Sequence, residues 1–124
     1  MAVKINKVLP DSLLESLQVY VRALKQTNLM TFDQGWKSRY SRHNDPIMKL
    51  IHDTLAPVIM AHTGLDVKPT YSYLATYIAA DLAAPPHQDR PQCQYTLDLC
   101  IEQDIESPLY VEGARFDMTP GQAI

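Results

Sequence analysis

At 124 residues and a net charge of −3, the chain is long enough for one domain with a real core, yet small for an enzyme. Its 11 Lys and Arg are scattered, with no basic stripe to neutralise phosphates, which argues against nucleic acid as a partner. The opening Met1-Ala2-Val3-Lys4-Ile5-Asn6 lacks the apolar run of a secretory signal, and nothing approaches the roughly 20 apolar residues that cross a bilayer. A soluble cytoplasmic protein without membrane contact is expected. Cys93 and Cys100 are seven apart, so on one strand they would point to opposite faces. Two reduced thiols packed as small apolar residues are predicted.

Taken in chain order, the first half reads helical. Pro10-Asp11-Ser12 is a start signal in which Asp11 or Ser12 caps free backbone N–H groups. Leu13, Leu14, Leu17, Tyr20, Val21 and Leu24 then make one apolar stripe at helical spacing, ending near Gln26-Thr27-Asn28. The stretch 31–43 is irregular and polar, with Phe32, Trp36 and Tyr40 read as aromatics anchoring a loop onto the core. A second helix begins at Asn44-Asp45-Pro46, a cap residue followed by proline in the first turn. Ile47, Leu50, Ile51, Leu55, Val58, Ile59 and His62 line it, and Gly64 stops it. Pro57 inside the pattern removes one backbone hydrogen bond and predicts a kink or a split.

After Gly64 the period changes from helical to alternating. Residues 70–78 predict a strand with Tyr71, Tyr73, Ala75 and Tyr77 on one face and Ser72, Leu74, Thr76 and Ile78 on the other. Residues 79–86 form a small-residue and proline connection, and 95–101 alternate again. An acidic turn at 102–107, short strands at 109–112 and 115–118, and a Thr119-Pro120-Gly121 turn lead into Gln122-Ala123-Ile124, which reads as the opening of one more strand. Helices followed by short antiparallel-looking strands predict a single α+β domain over 1–124. Residues 1–64 would be helical support and 65–124 a β barrel or sandwich.

The chemistry concentrates in His87-Gln88-Asp89, held between Pro85-Pro86 and Arg90-Pro91. Two positions apart on extended backbone, side chains leave from the same face, so an imidazole nitrogen and a carboxylate oxygen can reach one metal ion. Such a pair supplies two of the three ligands in the 2-His-1-carboxylate facial triad of non-haem iron(II) oxygenases. His-x-Asp alone is a weak pattern. Its bland reading is a turn histidine bonded to a carboxylate. Arg90 is expected to pair with a nearby acid and buttress that loop. Asp98 and Arg115 read as surface residues, and His43, His52 and His62 as surface or core-edge histidines.

Several motifs in order are far more specific. Lys68-Pro69-Thr70-Tyr71-Ser72-Tyr73, then Tyr77, then Pro86-His87-Gln88-Asp89-Arg90, then Cys93-Gln94-Tyr95-Thr96-Leu97 resemble the bacterial iron(II)/2-oxoglutarate-dependent oxygenases of the prolyl 4-hydroxylase-like group. The closing Thr119-Pro120-Gly121-Gln122-Ala123-Ile124 resembles that family's Pro-Gly-Asp-Ala strand opening. The resemblance implies a double-stranded β-helix (jelly-roll) with supporting N-terminal helices, and His87 and Asp89 as iron ligands. It also implies that Tyr77 hydrogen-bonds the cosubstrate 2-oxoglutarate. The family is a group of dioxygenases: one atom of O₂ enters succinate, CO₂ leaves, and the other atom hydroxylates a small-molecule, amino-acid or prolyl substrate. The family pattern continues to a distal histidine and then an Arg or Lys that pairs with the far carboxylate of 2-oxoglutarate. No histidine follows His87 here, and the last residue is Ile124. The expectation is therefore a C-terminally incomplete oxidoreductase domain, weak or inactive, whose open sheet edge invites a homodimer or strand exchange. The alternative is a non-catalytic jelly-roll module that binds a ligand or partner chain and keeps a relic metal site.

Overall fold

The computed structural model describes residues 2–33, 39–78, 93–106 and 108–124. Among them the chain forms two helices and five short strands in antiparallel sheets, a mixed α+β fold as expected. They fall into two compact units, Met1–Thr27 with Leu97–Ile124, and Asn28–Thr96.

In the first unit, α1 spans Asp11–Gln26. Pro10 is the residue preceding it and no side chain caps it, contrary to the expected Asp11 or Ser12 cap. Asp11 lies instead in the first turn, where it pairs with Lys7 at 3.3 Å and favours the positive end of the helix dipole. Leu17 and Leu24 of the predicted stripe are buried, Leu17 to 2% exposure, a burial worth about 2 kcal/mol. Against this helix the Gln18 amide donates to the Ile101 carbonyl at 2.9 Å, and Arg22 holds the Glu102 carboxylate through Nε at 3.0 and 3.1 Å.

The unit is closed by residues 121–124, which run between two other segments. On one side Ile5 and Ala123 exchange both backbone hydrogen bonds, at 2.7 and 3.0 Å. On the other, Asp98 and Ile124 exchange theirs at 3.0 Å, and Cys100 bonds Gln122 and Gly121. Ala123 thus bridges Ile5 and Leu99 at once and is fully buried. After the Pro-Gly turn, where a strand was expected, the chain forms two isolated antiparallel bridges at Ala123 and no named strand. The strand read at 95–101 takes part in these bridges only through Leu99. A hairpin of β4 (Leu109–Val111) and β5 (Ala114–Phe116) completes the unit. Its two-residue turn, Glu112-Gly113, has φ of 52° and 80°, the left-handed pair that matches strand twist.

The second unit is a three-stranded antiparallel sheet, β1 (Thr31–Asp33), β2 (Arg39–His43) and β3 (Tyr73–Tyr77), with helix α2 over Pro46–Thr63. The 31–43 stretch, expected as an irregular loop between the helices of the first half, therefore supplies two strands. Trp36 lies outside the described residues. Phe32 and Tyr40 are cross-strand partners with ring centroids 5.1 Å apart, which is what their spacing serves. Helix α2 starts as the sequence indicates, with Asp45 as the cap and Pro46 in the first turn, and ends on Gly64 at φ 74°. It runs unsplit through Pro57. Its buried residues are Met48, Ile51 and Leu55, while the expected core residues Ile47 and Leu50 are exposed.

Candidate functional site

Strand β3 alternates as its sequence requires: Leu74 is buried at 7%, while Tyr73 and Tyr77 are each 45% exposed on the opposite face. Register then decides what stands beside the tyrosines. Arg39 pairs with Tyr77, Ser41 with Ala75, and His43 with Tyr73, so these six residues share one face of the sheet. The guanidinium of Arg39 donates from one terminal nitrogen to the Tyr77 hydroxyl at 3.2 Å and from the other to the Tyr73 hydroxyl at 3.1 Å. Its central carbon lies 5.0 Å from the Tyr73 ring centroid and 5.9 Å from that of Tyr77, adding cation–π attraction to both. At the other end of the face the His43 ring lies tilted against those of Tyr71 and Tyr73, with centroids 5.1 and 6.1 Å away. Arg39, two phenols and a tilted imidazole–aromatic contact therefore share one face, on which Tyr73, Tyr77 and His43 are exposed and Ser41 is buried.

Tyr77, the predicted cosubstrate residue, is on this face. His87, Asp89 and Arg90 lie outside the described residues. Among the described residues no group of three or more His, Cys, Asp or Glu is placed to hold a metal ion. His62 is exposed with Nδ1 2.9 Å from the Val58 carbonyl oxygen, a local contact within α2. Arg115 bonds Asp117 at 2.9 Å on the surface, which holds its guanidinium charged more firmly than usual and matches the surface reading. Cys93 and Cys100 are both free, as expected, and partial burial pushes the Cys100 thiol above its ordinary pKa.

Sequence reasoning placed Tyr73 on the same face as Tyr77 but missed Arg39 beside them. Tyr73 carried the same alternation signal as Tyr77, but Arg39 sat in a stretch with no apolar period to mark it as strand. Two concave spaces are found among the described residues. One of about 200 Å³ is lined by Lys49, His52, Asp53 and Tyr71 among others, and one of about 230 Å³ by Lys4, Asp117 and Gln122 among others. Both fall short of the roughly 300–1,000 Å³ usual for ligand pockets, so the tyrosine face is the better candidate. Among the described residues no helix is long and apolar enough to cross a membrane. Comparison with protein-family models, with curated proteins and with solved structures finds no match to this chain.

Proposed function

We propose that the chain is an iron(II)/2-oxoglutarate-dependent oxygenase domain of the prolyl 4-hydroxylase-like type, acting on a small-molecule, amino-acid or prolyl substrate. In this reading β3 and the ladder around 121–124 are strands of a double-stranded β-helix. His87 and Asp89 are iron ligands, Arg90 steadies their loop, and Tyr77 donates a hydrogen bond to 2-oxoglutarate. Iron(II), when bound, would supply the O₂ chemistry. The chain's own residues bind the cosubstrate, orient it and limit water access.

The observation that carries the reading is the ordered motif series together with the setting of Tyr77. That residue lies ten positions before His87 on an antiparallel strand, is 45% exposed and has its hydroxyl accepting from Arg39. A residue that only filled the core would turn its hydroxyl inward.

The test is anaerobic titration with iron(II) and 2-oxoglutarate, read by the weak visible charge-transfer band of the ternary complex. The expected result is a band that is lost in His87→Ala and in Asp89→Ala. Absence of the band at saturating ligand would leave the non-catalytic module as the answer. Strand exchange between copies belongs to the same reading. Sedimentation velocity that resolves only a monomer at every concentration counts against it.

A further inference from the structure

We infer that the cleft between the first turns of α2 and residues 69–71 binds inorganic phosphate, selecting an oxyanion that still carries a proton. The cleft lies wholly within the second unit and uses none of the residues of the oxygenase reading.

Helical spacing builds one wall: Lys49, His52 and Asp53 stand at i, i+3 and i+4 and so share a face of α2. Thr70 and Tyr71 form the other wall, and Asn44 joins the two. Asn44 sits at φ 53°, a left-handed conformation that asparagine adopts more readily than most residues. From there its backbone N–H donates to the Ser72 carbonyl at 2.9 Å, and its Oδ1 accepts the Ser72 N–H at 3.3 Å. The Tyr71 ring rests against that of His43, with centroids 5.1 Å apart. Both walls are thus held by backbone and ring contacts before any ligand arrives.

Donors outnumber acceptors in this cleft. Lys49 has three ammonium protons and directs one to Asp53, at 2.8 Å. The Asn44 amide nitrogen, the His52 ring and the Thr70 hydroxyl have no hydrogen-bond partner among the described residues. The volume, about 200 Å³, is below what drug-sized ligands fill and suits a small oxyanion. Lys49 supplies the positive charge, and the other three groups supply further bonds to oxygen.

Asp53 decides which oxyanion is taken. Its carboxylate only accepts hydrogen bonds. Monohydrogen phosphate keeps one P–OH, which donates to Asp53 while the remaining oxygens face the donors. Sulfate and a phosphomonoester dianion have the same charge but no proton. Each would set oxygen lone pairs against the carboxylate and leave it without a partner.

The experiment titrates the full chain with inorganic phosphate, sulfate or methyl phosphate at mildly alkaline pH and constant ionic strength, followed by two-dimensional NMR. At that pH inorganic phosphate keeps its last proton and methyl phosphate has none. Expected with phosphate are saturable shifts at Asn44, Lys49, His52 and Thr70. The affinity should be about millimolar, because the Lys49 and Asp53 side chains are 66% and 45% exposed. Sulfate and methyl phosphate should bind about tenfold more weakly. Lys49→Gln should weaken phosphate severalfold. Asp53→Asn, whose amide also offers donors, should bring sulfate level with phosphate.

The inference is overturned by the absence of a saturable shift with phosphate, or by sulfate or methyl phosphate binding the parent chain as tightly. Unchanged phosphate binding in Lys49→Gln, or continued rejection of sulfate by Asp53→Asn with native dispersion, overturns it as well. The three anions on the parent chain decide the matter without any variant. The iron titration reads other residues, so failure of either test leaves the other standing.

Discussion

Arg42 donates its Nε at 2.6 Å to the carboxylate of Asp45, three residues on and immediately before α2, and the Asp45 side chain is fully enclosed. The other carboxylate oxygen accepts the Ile47 and Met48 N–H groups at 3.0 and 3.1 Å, while Arg42 also reaches the Leu29 carbonyl at 2.8 Å. One buried carboxylate thus ties β2 to the first turn of α2. Removing it loses the cap, worth about 1–2 kcal/mol, and strips a partly buried guanidinium of its partner. Asp45→Ala is expected to lose about 2–4 kcal/mol by urea unfolding, and Asp45→Asn less, because the amide oxygen still caps. A loss below about 0.5 kcal/mol for the alanine variant would show that the junction is not a stabilising element.

Gly121 turns the chain into its central segment at φ 91°, and a Cβ there would meet Leu14 Cδ2 at 3.3 Å. Alanine would combine a disfavoured backbone conformation with a crowded contact on α1. Gly121→Ala is expected to cost about 1–3 kcal/mol. Gly64→Ala should cost less, since that position has the same handedness and open space around it. Equal losses in thermal unfolding would show that the approach of Leu14 does not matter.

The Arg22 side-chain hydrogen bond, and then its charge, hold the Glu102 carboxyl below its usual range. A carboxylate whose folded pKa is depressed stabilises above its unfolded value of about 4.3, and that contribution is lost as pH falls through the folded value. The pair is solvent-exposed, so the effect is small and screened by salt. Glu102→Gln should therefore be slightly less stable than the parent at neutral pH and low salt. The two should become indistinguishable in acid or in concentrated salt. A difference that grew on acidification would contradict the pairing.

Burial raises the Cys100 thiol above its ordinary pKa of about 8.5. The neutral thiol is thus favoured in the folded state, and its stabilising contribution is present below the unfolded pKa and lost as pH rises through the folded one. Alkylation by iodoacetamide at mildly alkaline pH should modify Cys100 about tenfold more slowly in the native protein than in urea, read by site-resolved mass spectrometry. Matching rates would mean that the half-buried environment does not persist in solution.

Much of the chain was legible because its signals are local. The cap Asp45, the first-turn Pro46 and the stop at Gly64 act through neighbouring backbone, so α2 announced both its ends. The alternation of Tyr73, Leu74 and Tyr77 reported one wet face and one dry face without reference to any partner. The turn at Pro120-Gly121 was likewise legible, though the isolated bridges that follow it were not. Strand β2 was not legible: Arg39-Tyr40-Ser41-Arg42-His43 has no apolar period, and its hydrogen bonds come from β1 and β3.

What the residues determined by themselves is therefore the helices, the faces of β3, and an ordered motif series in which His87 and Asp89 stand two apart. Tertiary structure alone decided that Arg39 stands beside Tyr77 and that residues 121–124 run between two partner segments. Cross-strand register is a long-range choice. It is selected by the summed fit of every paired side chain and backbone group, and no single stretch of sequence contains that sum.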